Sequence, residues 1–176
     1  MKIILTAAMA ASALALAACG ETAPEGMNEA IEEQGGNLAA GIGEDSRFAA
    51  AMEEAGLTGL LDGPVPYTII VPADAAFDAL ADAEYENDEA RKEALGQLLS
   101  AHILNGTILS EDIANAIASG DGAAELPNMA GSSLTAQKDG DAITLSLAEG
   151  STVRVTAADE RYDNGVIHRV DGLLTS

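Results

Sequence analysis

The chain has no tryptophan, a single cysteine, and 8 basic residues against 29 acidic ones in a length of 176. Each shortage excludes something. One cysteine, Cys19, cannot form an intrachain disulfide. A formal net charge of −21 leaves no basic face to neutralise phosphates, so nucleic acid is not an expected partner. The same charge disfavours a polybasic grip on anionic lipid. It reads instead as a solvated, self-repelling surface suited to a salty medium. Aromatic residues make up 3% of the chain, which argues against an aromatic-walled cleft for a flat apolar ligand. No Gly-x-Ser-x-Gly elbow and no His-Glu-x-x-His pair occurs. The acidic clusters Asp139-Gly140-Asp141 and Asp159 to Asp163 lack the ligand spacing of a twelve-residue calcium loop. No catalytic residue, metal ligand or cofactor is therefore expected, and the chain does not read as an enzyme.

What is present begins with a leader. Residues 1–18 carry Lys2 and then an apolar run of small residues too short for a comfortable membrane span. The run ends Leu16-Ala17-Ala18-Cys19-Gly20. This resembles the lipobox of bacterial lipoproteins, in which the cysteine is acylated and becomes the new N-terminus. On that resemblance residues 1–18 are a signal peptide, Cys19 is the lipidation site, and the lipid anchor is the membrane contact. Gly20 stands where an aspartate would imply inner-membrane retention, so the outer membrane is the expected destination in a Gram-negative host. Residues 19–36 are poor in apolar groups and read as a flexible acidic tether, with a short helix around Met27 to Glu33 as an option. Residues 37–176 are enough for one domain with its own core.

Helical spacing dominates the first half. Asp45 or Ser46 caps a helix from Arg47 to Ala55 with Phe48, Ala51 and Met52 on one face. Gly56 stops it. Asn87 or Asp88 caps a longer helix running to Leu104, with Leu95, Leu98, Leu99, His102 and Ile103 together and Asn105-Gly106 at its end. Ser110 reads as the cap of a helix from Glu111 to Ala118. From Leu126 the period changes to two: Leu134 and Ala136, then Ile143, Leu145 and Leu147, then Val153, Val155 and Ala157, separated by turns at Asp139-Gly140 and Glu149-Gly150. Helices first and an antiparallel meander later predict an α+β domain.

Three stretches organise the rest. Tyr67 to Val71 is a β-branched strand that Pro72 stops, after which Asp74 is placed to cap a short helix carrying Phe77. Leu98 to Gly106 contains His102. Asn164-Gly165 makes a tight turn into a strand carrying Val166, Ile167, His168, Arg169 and Val170, followed by Asp171, Leu173 and Leu174. In this order the three resemble the signatures of the fasciclin domain family over Asn37 to Leu174. The resemblance implies a wedge of antiparallel β-strands flanked by several helices. It also implies a non-catalytic module for cell adhesion or for binding matrix protein or polysaccharide. A carrier of an apolar ligand such as a carotenoid is the alternative.

The residues that carry the resemblance are Pro72, Asp74, Phe77, His102, Asp159, Asn164, Gly165, His168 and Asp171. The two histidines lie on apolar faces and read as core residues with hydrogen-bonded rings. Ala158-Asp159 resembles the place where some animal members carry an integrin-recognition Asp-Ile pair, but Glu160 replaces the apolar residue. Arg169 replaces an apolar residue of the family, so the outer face of its strand reads as wet.

Overall fold

The computed structural model describes residues 35–80 and 83–175. Cys19, the lipobox, the tether to residue 34 and the option of a helix around Met27 lie outside the described residues. The described residues form five α-helices and seven strands: α1 Leu38–Ile42, α2 Arg47–Ala55, α3 Gly59–Asp62, β1 Tyr67–Pro72, α4 Asp88–Ala101, β2 Ile103–Asn105, α5 Ser110–Ser119, β3 Ala123–Pro127, β4 Ser133–Asp139, β5 Ala142–Leu147, β6 Thr152–Tyr162 and β7 Gly165–Val170. A 3₁₀ segment, Asp74–Leu80, follows β1.

The strands form one sheet in the order β2-β1-β7-β6-β5-β4-β3. From β3 to β7 each strand pairs antiparallel with the next, which is the expected meander. The sheet is not wholly antiparallel as expected: β1 pairs parallel with β7, in the register Tyr67↔Gly165 to Pro72↔Val170. The sheet rolls until its two ends meet. Leu104 of β2 bridges Asn128, and the Met129 N–H donates to the Ile103 carbonyl at 2.9 Å. The architecture is an α+β wedge.

Two apolar cores result. One lies under the helices and joins Leu38, Phe48, Met52, Leu61, Phe77 and Leu99 to Ile69, Val71 and Ile167 of the sheet. The other lies inside the rolled sheet and joins Ile113 and Ile117 of α5 to Ile70, Leu134, Leu145, Val153, Val170 and Leu174. Successive side chains of a strand point to opposite faces. Ile69 and Val71 therefore enter one core and Ile70 the other, which explains why β1 is apolar without alternation.

Several local expectations change. Helix α4 ends at Ala101, three residues before Leu104, because the chain must turn into β2 to pair with β1; His102 is its C-cap. Asn87, not Asp88, accepts from the Ala90 N–H, and Ser46, not Asp45, accepts from the Ala49 N–H. Asn164 and Gly165 do not form the centre of the turn. Asp163 and Asn164 do, and Gly165 is already the first residue of β7, paired with Tyr162. Gly165 has φ +154°, and a methyl group on it would overlap the Tyr67 carbonyl oxygen and press on Leu38 Cδ1. The glycine is needed for close approach of β1 and α1, rather than for the turn.

Candidate adhesion surface and its supporting network

Strand β6 holds the centre of the site, because its register against β7 slips twice. Val155 pairs with Val170 and Ala157 with Arg169, which leaves Thr156 extra. Ala157 pairs with Arg169 and Glu160 with Ile167, so Ala158 and Asp159 together face the single residue His168. These are β-bulges, each of which bends the strand and adds twist. Asp159 takes φ +62°, a conformation that aspartate tolerates better than most residues.

The bulge turns the Asp159 carboxylate toward the start of α5. Oδ1 accepts the Ser110 N–H at 2.7 Å, and Oδ2 accepts the Ser110 hydroxyl. Ser110 was expected to cap the helix that it begins. It is instead the first helical residue, and Asp159, 49 residues away, adds its negative charge to those of Glu111 and Asp112 at the helix N-terminus. Asp112 accepts the Leu109 N–H at 3.0 Å.

His168 completes the ring of contacts. Its Nδ1 accepts the Asp159 N–H at 3.2 Å and its Nε2 donates to the Ile108 carbonyl at 2.8 Å. A carbonyl only accepts, which fixes the proton on Nε2. Burial lowers its pKa, opposed by the bond to Ile108 and by the nearby Asp159 and Glu160 carboxylates. Thr68 extends the network by donating to the Gly106 carbonyl and accepting the Ile108 N–H, both at 2.8 Å. Serine, histidine and aspartate thus meet here, but in the wrong order for proton transfer. Both ring nitrogens of His168 are occupied by backbone groups, and the carboxylate sits on the serine.

His102 is fully buried and has the opposite tautomer. Its Nδ1 donates to the Leu98 carbonyl at 2.8 Å, and its Nε2 accepts the Leu174 N–H at 3.1 Å. Burial pulls its pKa down to about 4, against the raising effect of the bond to Leu98. Phe48 stands edge-on to it at 6.2 Å between ring centres, and Phe77 edge-on to Phe48 at 6.4 Å.

The other family-pattern residues hold elements together. Asn164 accepts the Leu38 N–H at 2.8 Å and donates to the Leu61 and Gly63 carbonyls at 2.7 and 2.9 Å. It therefore ties α1 and α3 to the β6–β7 turn. Asp74 does not cap the segment carrying Phe77; it is that segment's first residue and accepts the Arg47 N–H of α2 at 3.0 Å. Pro72 is buried and pairs with Val170, and the next residue, Ala73, donates to the Val170 carbonyl. Asp171 accepts the Arg154 N–H at 2.8 Å. Arg169 is not simply wet. Its Nε and Nη2 reach both oxygens of Glu160 at 2.7 and 3.0 Å, and Nη2 also donates to the Gly41 carbonyl at 2.9 Å. That hydrogen-bonded carboxylate holds the guanidinium pKa above its ordinary value.

The network therefore brings Asp159 and His168 together and leaves His102, Asp74, Phe77 and Asn164 elsewhere. Sequence reasoning missed Ser110, Thr68 and Ile108 as partners of this ring. Their distance along the chain left no local signal. Beside the bulge an open cleft of about 370 Å³ runs between the start of α5 and strands β5 and β6, lined by Ser110, Glu111, Asp141, Ile143, Val155 and Ala157 among others.

The family model of the fasciclin domain matches residues 43–176. The pig transforming growth factor-beta-induced protein ig-h3 is 30% identical over 125 residues, covering 71% of this chain. The chain spans 17% of the length of that relative. Protein sll1483 of Synechocystis sp. is 29% identical over 140 residues, covering 78% of this chain and 70% of sll1483. A solved FAS1 domain pair from the insect cell adhesion molecule Fasciclin I is similar in fold, with a TM-score of 0.57 at 20% identity over 73% of this chain and 44% of that one.

Proposed function

This chain belongs to the fasciclin domain family, and on that premise we propose that it is a lipid-anchored interaction module of a bacterial envelope. It makes adhesive contacts with protein or polysaccharide and does no chemistry on them. The observation that carries the reading is the spent state of the histidines: all four ring nitrogens are occupied by backbone groups. The solved relative from a cell adhesion molecule supports the adhesive part. Cys19 behind its apolar leader supports the anchor, with the acidic segment after it holding the domain away from the membrane.

The test uses cells that express the full chain or Cys19→Ala. Mass spectrometry of the native N-terminal peptide should find an acylated Cys19, and the variant should leave the membrane fraction. Cells carrying the wild-type chain should adhere to envelope-derived matrix, and cells carrying the variant should not. An unmodified start at another residue overturns the anchor. Equal adhesion with and without the chain overturns the adhesive role.

A further inference from the structure

Rolling the sheet covers both of its outer strands, because β2 and β3 meet through Leu104, Asn128, Ile103 and Met129. Another edge opens inside the sheet. Strands β5 and β6 pair through Ser146↔Thr152, Leu145↔Val153 and Thr144↔Arg154, and the pairing ends there. Beyond Arg154 strand β6 pairs with β7 alone. The two bulges account for the parting, since each bends β6 away from its former neighbour.

Among the described residues no strand refills the parted edges. Val155, Thr156, Ala157 and Ala158 form one wall of the 370 Å³ cleft, Ala142 and Ile143 a second, and Ser110, Glu111 and Ala114 of α5 a third. Thr156, Ala157 and Ala158 are exposed and small. Exposed edges in stable proteins are ordinarily blunted by proline, charges, β-bulges or a covering loop or helix. This one carries no proline at 155–158; its bulges bend it, its charges Glu111, Asp141 and Lys138 stand in the walls of the cleft, and the start of α5 is held beside it by the Asp159–Ser110 contacts.

We propose that this edge binds an extended, cationic segment of a partner protein, which adds a strand to β6. The inference deepens the adhesive reading above and rests on it for the existence of a partner. Strand addition uses main-chain hydrogen bonds for affinity and alternate side chains for selectivity. Alternate residues of the incoming strand face Ile143 and Val155, so they are small and apolar. The others face Glu111 and Asp141, which stand in the cleft wall with one ammonium, Lys138. Asp139 beside them is already paired with Arg154. The charge of −21 over the chain speeds the approach of a basic segment and repels an acidic one, including a second copy of this chain.

The probe is a blocked pentapeptide of alternating lysine and valine, titrated into the full-length chain in detergent micelles and followed by amide NMR. Shifts should concentrate at 142–143 and 155–158. Affinity should fall at least about tenfold for the same peptide N-methylated along one edge, and similarly for the glutamate-valine counterpart. Ala157→Lys should abolish binding without lowering the melting temperature, as the side chain is exposed. Glu111→Gln combined with Asp141→Asn should weaken the lysine peptide alone. Shifts spread over the acidic surface, or affinity indifferent to N-methylation, would overturn the proposal. So would self-association that Ala157→Lys abolishes, which would give the edge to a second copy. The adhesion assay with Ala157→Lys separates the two readings: adhesion that survives leaves the adhesive role standing and removes the edge from it, whereas wild-type cells that never adhere overturn that role and leave the peptide titration to judge the edge.

Discussion

Leu174 donates its backbone N–H to Nε2 of His102 at 3.1 Å, across 72 residues of sequence. The contact places a fully buried imidazole between the end of α4 and the C-terminal segment, whose Leu173 and Leu174 each enter a core. Replacing it leaves an N–H and a carbonyl without partners inside the protein. His102→Ala should destabilise the fold by about 1–3 kcal/mol, measured by denaturant unfolding. A variant that unfolds at the wild-type midpoint would show that the contact contributes nothing.

The same contact sets a pH dependence. The folded chain holds His102 at about 4, below the 6.5 of an unfolded histidine, because burial penalises the charged ring. Between these values the unfolded state binds a proton that the folded state refuses. Stability should therefore be full above about pH 6.5 and fall as pH drops toward 4, by about 3 kcal/mol if His102 acts alone. His168 is lowered too and adds the same sign. Unfolding of the wild type and His102→Gln at pH 7 and pH 4.5 checks this. The difference between them should shrink at the lower pH, and a constant difference counts against it.

Asn164 offers a sharper test of hydrogen-bond polarity. Its amide nitrogen donates to two carbonyls, and its oxygen accepts one N–H. Asn164→Asp keeps the shape but aims a carboxylate oxygen at the Leu61 and Gly63 carbonyls. It should cost more at pH 7 than Asn164→Ala, which should itself cost about 2–4 kcal/mol. Thermal melts that rank the two in the opposite order would contradict this geometry.

Gly165 and Gly106 make a matched pair. A methyl group on Gly165 overlaps the Tyr67 carbonyl, whereas one on Gly106, at φ +86°, meets open space. Gly106→Ala should cost about 1 kcal/mol through backbone strain alone. Gly165→Ala should cost several times more, because β1 and β7 must part at their first pair. Similar unfolding midpoints for the two would show that the strands yield.

The acidic surface should respond to salt as a screened charge. Asp159 is engaged by Ser110 and Glu160 by Arg169, so the segment Asp159 to Asp163 has lost two of the carboxylates that a cation would use. Melting temperature should rise modestly with sodium chloride as self-repulsion is screened, and calcium chloride at equal ionic strength should do the same. A much larger shift with millimolar calcium would reveal a specific site.

The sequence by itself determined the helical period of α2, α4 and α5, the twofold period of β4, β5 and the start of β6, the caps Ser46 and Asn87, and the two buried histidines. These follow from local propensity and from which faces are apolar, and both are readable in one dimension. Only the tertiary structure decided where the remaining polar groups found partners. Asp74 caps the helix α2 rather than its own segment, and Asp159 serves a helix 49 residues back. Arg169, in an apolar strand, finds Glu160 and the Gly41 carbonyl. The end of α4 was misplaced because Ile103 and Leu104 suit a helix face and a strand equally, and pairing with β1 overrode the local pattern. The bulges in β6 left no periodic trace either. They arise because β6 must leave β5 and follow β7, and a strand changes partner only by bending.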